Sequence, residues 1–207
     1  MRYGGNPDNI WKRETSLNAC LQDRINSFGS LETYLKFMRR YVMNAGIFPY
    51  GRALDAGCDE ALVSIELAST GLIQYLTLLD KFPQILEKNR KYIADKHTEL
   101  SGRVSFIVKD LCKECIDEKY NLVLALTIIR ASELKSGSKK VENIFNFVDN
   151  KGTIIMSVPL KADGNEFSDY KKLIIREGIE KLMNSYDIQF LETAMSKEEL
   201  WVTGKKD

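Results

Sequence analysis

A short acidic and glycine-containing segment, residues 51–65, has the residue types of a ligand-binding turn. Its sequence is GRALDAGCDEALVSI, in which Asp55 closes an apolar run and an amphipathic stretch starts at Ala61. This order predicts a strand, a tight turn and a helix that begins at once. In open α/β sheets such turns lie at the carboxyl edge, where ligands bind. The turn residues between strand and helix are Ala56, Gly57, Cys58 and Asp59, and Gly57 leaves room for a ligand against bare backbone.

Two further aspartates follow the next apolar runs. Asp80 ends the run Tyr75–Leu79, and Asp110 comes shortly after Val104–Val108. A carboxylate at the tip of a second strand can accept hydrogen bonds from both hydroxyls of a ribose, at about 1.5–3 kcal/mol each. The sequence therefore predicts a nucleotide-type ligand. Each aspartate also has a structural interpretation: Asp55 as a cap for loop N–H groups, Asp80 as a surface residue before a helix, Asp110 as an ordinary loop residue.

The pattern around these residues predicts an α/β fold with the element order ααβαβαβαβαβαββ. Two helices are expected at 8–27 and 31–44, and a long helix at 169–184 precedes two short strands joined by a tight link, which predicts a terminal antiparallel hairpin. The order includes a helix between the third and fourth strands. The predicted strands are Ala53–Ala56, Tyr75–Leu79, Val104–Val108, Leu122–Ile129, Thr153–Val158, Ile188–Thr193 and Leu200–Thr203, and helical stretches include Ala61–Ala68, Pro83–Ile93 and Val141–Val148.

Composition excludes several classes of protein. The 207 residues carry 30 Lys and Arg against 29 Asp and Glu, a net charge of +1 that argues against a general nucleic-acid binder. The longest apolar stretch, Leu122–Ile129, is too short to span a membrane, and the N-terminal residues lack the apolar run of a signal peptide. The four cysteines are interpreted as reduced thiols, so we expect a cytoplasmic protein without membrane partners.

From Gly51 to Lys205 the chain resembles the class I S-adenosylmethionine-dependent methyltransferases. The family's first motif, D-x-G-x-G-x-G, stands here as residues 55–61 (DAGCDEA). Its ribose-binding acidic residue matches Asp80, and its adenine-contacting acidic residue matches Asp110, with Leu111 beside it. Residues 120–127 match the fourth-strand segment, and 151–159 (KGTIIMSVP) match the fifth strand after its glycine turn.

The resemblance implies a Rossmann-like three-layer sandwich. Its mostly parallel seven-stranded sheet would end in a C-terminal antiparallel hairpin, within a methyltransferase-like domain at residues 51–207. Residues 1–50 would form an N-terminal helical cap, and the cofactor would be S-adenosyl-L-methionine. The predicted cofactor-binding residues are Trp11, Arg13, Asp55, Ala56, Gly57, Cys58, Asp59, Asp80, Lys81, Asp110, Leu111 and Leu126.

The first motif departs from the family at two glycines, which are Asp59 and Ala61 here. Asp tolerates positive φ, so Asp59 could keep the loop shape, and it could also cap the following helix. Its carboxylate could favour the ammonium and sulfonium of the cofactor or repel the cofactor's carboxylate. The chain is therefore either a cofactor-binding enzyme or a degenerate, non-catalytic relative.

Other residues whose side chains could take part in catalysis or metal binding are given structural interpretations. The single histidine, His97, lies in a polar stretch and is expected at the surface, so no catalytic base is assigned. Cys112 and Cys115 have metal or redox spacing but lack further ligands, so no metal site is predicted. Trp11 and Arg13 could contact the cofactor from a closing N-terminal helix or be ordinary packing and surface residues.

The predicted function is methyl transfer to a small-molecule acceptor by in-line displacement, which needs positioning more than covalent chemistry. Residues 126–129 read LTII, unlike the Asn-Pro-Pro-Tyr segment of enzymes that methylate planar amino groups. The alternatives are a catalytically inactive methyltransferase-like scaffold protein and an RNA methyltransferase that uses the basic stretches 135–140 and 171–176, which otherwise form solvated helix faces. The acceptor and the methylated atom are not specified by the sequence, and a homodimer stays open.

Overall fold

A seven-stranded sheet lies at the centre of the computed structural model, which describes residues 19–46, 49–136, 138–162, 165–195 and 199–206. The strands lie in the order β3-β2-β1-β4-β5-β9-β8; the first five are parallel, and β9 runs antiparallel to both β5 and β8. The predicted parallel sheet and terminal hairpin are confirmed. The strands are β1 (Tyr50–Ala56), β2 (Ile73–Asp80), β3 (Val104–Val108), β4 (Tyr120–Leu126), β5 (Val148–Pro159), the short pair β6 (Lys161–Ala162) and β7 (Asn165–Glu166), β8 (Ile188–Met195) and β9 (Glu199–Lys206).

Several helices begin at a side chain that caps their first turn. Ser30, Ser138 and Ser168 each accept a hydrogen bond from the backbone N–H three residues later, and Pro83 takes a first helical position, where no partner for its nitrogen is needed. In the part of the chain that the structure describes, no helix is long and apolar enough to cross a bilayer. The helices are α1 (Ala19–Phe28), α2 (Leu31–Ala45), α3 (Leu62–Ser69), α4 (Pro83–Lys96), α5 (Ala131–Ser136), α6 (Lys139–Asn146) and α7 (Asp169–Asn184), with a 3₁₀ turn at Thr98–Leu100.

The central strands are buried on both faces, which makes the fold a three-layer sandwich. On β4, Leu122 and Leu124 belong to a core shared with α2, α3 and α4, whereas Val123 and Ala125 belong to a second core shared with α6 and α7. Successive residues of a strand point to opposite faces, so a strand covered on both sides must be apolar throughout. The near-continuous apolar runs in the sequence are therefore explained by burial.

An aromatic cluster joins α2 to the sheet. The ring of Trp201 on β9 lies 6.3 Å from that of Tyr34, 5.8 Å from that of Phe37 and 6.3 Å from that of Tyr41. Trp201 and Tyr34 are fully buried. The described part of the predicted N-terminal cap thus packs on the sheet, while the division of the chain at residue 50 stays a prediction because residues 1–18 lie outside the described ranges.

Two connections differ from the expected element order. The helix predicted between the third and fourth strands is wrong: residues 109–119 are irregular apart from a turn at 111–113, where the Asp110 side chain accepts from the Cys112 N–H. The segment has only Leu111 and Ile116 as large apolar residues, too few for a helical face, and the aspartate competes for the backbone. Helix α5 follows β4, where the predicted strand continued to Ile129; Glu133 accepts from the Arg130 N–H at its start.

Candidate functional site

A cavity of about 380 Å³ opens where β1, β2 and β4 end and the chain leaves β3. This volume lies in the range of small-molecule sites, and the carboxyl edge of a parallel sheet is their usual place. Nine of the predicted cofactor residues line it: Asp55, Gly57, Cys58, Asp59, Asp80, Lys81, Asp110, Leu111 and Leu126. Ala56 is buried in the core beneath the cavity. Trp11 and Arg13 lie outside the described residues.

The turn after β1 is fixed to β2 by its backbone. The N–H groups of Gly57 and Cys58 both donate to the Leu79 carbonyl, at 2.8 and 3.0 Å. Gly57 has φ +70°, and a Cβ at this position would lie 2.1 Å from Cδ1 of Ile128. Its conformation therefore favours glycine, and a side chain at this position would displace Ile128.

Asp59 and Ala61 adopt left-handed backbone conformations, with φ of 45° and 52°. The loop thus has the geometry that glycine favours, although neither residue is glycine. Asn89 on α4 holds it by donating from Nδ2 to the Asp59 carbonyl at 2.6 Å. Ala61, and not Asp59, occupies the N-cap position of α3, without a side-chain cap.

Asp55 ties this loop to the helix that follows. Its buried carboxylate accepts a 2.6 Å hydrogen bond from Ser64 Oγ on α3. The contact gives Asp55 a structural role, since a buried carboxylate needs donors. The donor shown is a hydroxyl on α3, and the predicted cap of loop N–H groups stays a prediction. Sequence reasoning did not identify Ser64 as its partner.

Asp80 is held by two backbone donors at the tip of β2. Its Oδ1 accepts from Phe82 N at 3.0 Å and its Oδ2 from Asp59 N at 3.3 Å, while only 8% of the residue is exposed. An ionised carboxylate has about four lone-pair sites, so each oxygen keeps capacity for one more donor. The carboxylate is thus oriented at the cavity wall before any ligand arrives.

The wall after β3 is formed by Asp110 and Leu111. The Cys112 backbone N–H donates to Asp110 Oδ1 at 3.0 Å and, with the nearby charge of Lys113, lowers the pKa of Asp110 below its usual value. The Leu111 carbonyl accepts from Asn143 Nδ2 on α6 at 2.8 Å. Asn143 is buried and had no sequence signal, because its partner lies 32 residues away.

The opposite wall is the turn after β4. Thr127 has φ 56°, and its N–H donates to Ser157 Oγ on β5 at 2.9 Å. Ile128 packs over Gly57, and its carbonyl accepts from Lys140 Nζ at 3.0 Å. The side chain of Lys140 also pairs with Glu133 at 2.6 Å.

The cavity environment strongly disfavours ionisation of Cys58. Burial, followed by the negative charges of Asp55, Asp80 and Asp59, raises the pKa of the thiol far above its ordinary value. A thiol is a weak nucleophile unless ionised. Cys58 is therefore a packed, protonated residue of the loop.

Several residues in the lining were not singled out from the sequence. Phe82 and Ile85 come directly after Asp80, so their proximity to a strand end was a usable signal; Thr127 and Ile128 follow β4 in the same way. Lys140 had no such signal, because it reaches the cavity from α6. The further lining residues include Phe82, Ile85, Lys109, Thr127, Ile128 and Lys140.

Of the remaining candidates, Cys112 lies in the cavity lining, whereas His97 and Cys115 are not lining residues. The Nδ1 atom of His97 lies 3.1 Å from Glu99 Oε1. Cys112 and Cys115 are exposed free thiols, and within the described ranges no group of three His, Cys, Asp or Glu side chains is arranged to hold a metal ion.

The sequence matches no protein-family model and no curated protein. Solved structures are similar in fold. The N-methyltransferase NodS from Bradyrhizobium japonicum WM9, in complex with S-adenosyl-L-homocysteine, is 12% identical, with a TM-score of 0.61 over 97% of this chain and 93% of that one. The magnesium protoporphyrin IX methyltransferase ChlM from Synechocystis PCC 6803, with bound S-adenosyl-L-homocysteine, is 15% identical (TM-score 0.63, 96% and 94%).

A ribosomal protein L11 methylase from Lactobacillus delbrueckii subsp. bulgaricus is 16% identical, with a TM-score of 0.59 over 84% of this chain and 79% of that one. These likenesses extend over most of each chain. Together with the strand order, they establish the Rossmann-like fold of methyltransferases for this chain.

Proposed function

We propose that this protein binds S-adenosyl-L-methionine in the cavity and transfers its methyl group to a small-molecule acceptor. The observation that carries the proposal is the Asp80 carboxylate, oriented by two backbone N–H groups at the cavity wall beside the glycine turn. Two of the similar structures contain S-adenosyl-L-homocysteine, the product of such a transfer, which supports the choice of cofactor.

The ribose would lie against Asp80. Each carboxylate oxygen already accepts one backbone hydrogen bond, so the two ribose hydroxyls would donate to the remaining lone pairs. The nucleotide would approach the turn beside Ile128, whose side chain fills the space next to Gly57 that the sequence predicted for a ligand.

The adenine ring would occupy the apolar side of the cavity. Ile85 and Leu111 offer aliphatic surface there, and Phe82 is 43% exposed at the rim, available for stacking. Asp110 would accept from the exocyclic amine. Trp11 and Arg13 would complete the site from the N-terminal segment, as the resemblance implies.

Bound S-adenosyl-L-methionine supplies an electrophilic methyl group on a sulfonium. The chain's own task is to fix the distance and angle of attack, an effect worth about 7–11 kcal/mol in well-oriented reactions. Asp80 and the turn at Gly57 would hold the nucleoside end, and the protonated Cys58 thiol would not compete with the acceptor as a nucleophile.

The contacts of the lysines in the two basic stretches favour a small-molecule acceptor over a nucleic acid. Three lysines of the predicted basic stretches have local partners: Lys140 pairs with Glu133, Lys171 lies 3.5 Å from the Phe167 ring centre, and Lys172 is 3.4 Å from the Asp169 carboxylate. Such cations are less available to phosphates than a continuous basic face. This supports the interpretation of 171–176 as a solvated helix face.

Calorimetric titration with S-adenosyl-L-homocysteine tests cofactor binding, and methyl transfer from radiolabelled cofactor to candidate amines, phenols and thiols tests turnover. We expect micromolar binding with a rise in the thermal midpoint. Binding without turnover on any acceptor would favour the scaffold alternative. The absence of both heat and thermal shift would contradict the proposal.

A further inference from the structure

The cavity lining carries more negative than positive groups. Among the described residues, five carboxylates and three lysines line it. Two of the lysines already lie beside carboxylates outside the lining, Lys140 at 2.6 Å from Glu133 and Lys109 at 4.0 Å from Glu114. A concave site with an excess of one sign concentrates ligands of the other. The lining carboxylates are Asp55, Asp59, Glu60, Asp80 and Asp110.

Three of these carboxylates converge on the glycine turn. Asp55, Asp80 and Asp59 all act electrostatically on the Cys58 sulfur, which lies in the middle of the turn. Asp55 and Asp80 stand at strand ends and have donors of their own, Ser64 Oγ and two backbone N–H groups. Asp59 differs from these two in its place in the sequence motif, because the resembled motif has a glycine, without a side chain, at this position.

The position of Asp59 is fixed by its backbone. Its N–H donates to Asp80 Oδ2 at 3.3 Å, and its carbonyl accepts from Asn89 Nδ2 at 2.6 Å. Its left-handed φ of 45° is one that Asp and Asn tolerate. Backbone contacts that do not involve the charge of the side chain therefore fix the position of Asp59 in the cavity wall.

We infer that Asp59 makes the cavity select adenosyl ligands by charge, binding the cationic S-adenosyl-L-methionine more tightly than its neutral product. The inference rests on the proposed function. The two molecules differ by the methyl group and the positive charge it confers on sulfur, and their amino-acid ends are the same. Loss of that charge during transfer removes the attraction to Asp59, which favours release of the product.

The expected preference is about tenfold, the size given by one pair of unit charges several ångströms apart at an effective dielectric of about 20, reduced by solvent. We would measure dissociation constants of four ligands by calorimetry. S-adenosyl-L-methionine and sinefungin, which carries an amine in place of the methylated sulfur, are cationic at the reacting centre. S-adenosyl-L-homocysteine and 5′-methylthioadenosine are neutral there.

The decisive variant is Asp59→Asn, which keeps the shape and the tolerance of positive φ but removes the charge. We expect it to weaken both cationic ligands about tenfold and to leave 5′-methylthioadenosine unchanged. Asp59→Gly, which restores the residue of the resembled motif, should give the same loss of preference. Glu180→Gln, on the exposed face of α7 outside the lining, removes a charge elsewhere and should change nothing.

The outcomes separate this inference from the proposed function. Equal binding of cationic and neutral ligands by the unaltered protein would overturn the inference about Asp59 and leave the proposed function standing. Equal weakening of all four ligands in Asp59→Asn, including 5′-methylthioadenosine, would show a structural role of the loop and would also overturn it. Failure of the unaltered protein to bind any of the four would contradict the proposed function itself.

Discussion

Replacement of Asp80 by alanine tests the contact on which the proposed cofactor site depends. The carboxylate is 8% exposed and accepts from Phe82 N and Asp59 N, at 3.0 and 3.3 Å. Two ribose hydroxyls would add two hydrogen bonds to a charged acceptor, each worth about 1.5–3 kcal/mol. We therefore expect Asp80→Ala to weaken S-adenosyl-L-homocysteine binding by about 3–6 kcal/mol, or roughly two to four orders of magnitude.

The same substitution affects folding, and the two effects must be separated. Two backbone N–H groups lose their acceptor, at about 1–3 kcal/mol each, so we expect a loss of about 2–6 kcal/mol in the free energy of unfolding. Urea denaturation measures this loss, and circular dichroism confirms that the variant is folded at the temperature of the titration. Asp95→Ala, on an exposed position of α4 outside the cavity, is the matched control for both measurements.

A pair of nucleosides localises the effect to the ribose. The unaltered protein should bind adenosine more tightly than 2′,3′-dideoxyadenosine, which lacks both hydroxyls, and Asp80→Ala should bind the two alike. The coupling energy from this cycle isolates the carboxylate–hydroxyl term from changes in the loop. A folded Asp80→Ala variant with an unchanged dissociation constant would refute the reasoning, as would equal affinity of the unaltered protein for both nucleosides.

Three further predictions concern the loop and its surroundings. Ser64→Ala removes the 2.6 Å hydrogen bond to the buried Asp55 carboxylate and should lower the free energy of unfolding in urea by about 1.5–3 kcal/mol; a value equal to that of the unaltered protein would contradict this role. Lys151 is exposed with φ 61°, so Lys151→Gly should raise the free energy of unfolding by about 1 kcal/mol, whereas Lys151→Ala should leave it nearly unchanged. The pKa of Cys58 is raised in the folded state, whereas the unfolded thiol has a pKa of about 8.5. Above that pH only the unfolded state loses this proton, so the free energy of unfolding falls by about 1.4 kcal/mol per pH unit. Urea unfolding of Cys58→Ala between pH 8 and pH 10 should lack this part of the decline, and identical slopes would contradict the assignment.

The sheet could be predicted because its strands are buried on both faces. A continuous apolar run such as Leu122–Ala125 is explained by burial on both faces of the sheet. The helix predicted at 169–184 has the bounds of α7. The segment 109–119 could not be assigned correctly from its place in the element order. Its conformation depends on side-chain contacts with its backbone: Asp110 accepts from the N–H two residues on, and Asn143 donates to the Leu111 and Glu114 carbonyls.

The site residues that directly follow strand ends could be predicted, whereas those that lie on α6 could not. Asp80 and Asp110 are brought to one edge by the sheet itself, so their positions follow from topology. Asn143 and Lys140 reach the same region from α6, and nothing local in the sequence links them to it. The left-handed conformation of Ala61 is likewise set by tertiary contacts, since alanine has no intrinsic preference for it.

The aromatic cluster around Trp201 connects an early helix to a late strand. Tyr41 and Trp201 are separated by about 160 residues, which a ribosome adds in roughly ten to thirty seconds. During that interval the apolar face of α2 has no β9 to cover it. A nascent chain would therefore expose this face to solvent and to chaperones until β9 is synthesised, and the same strand that joins the sheet also shields the helix.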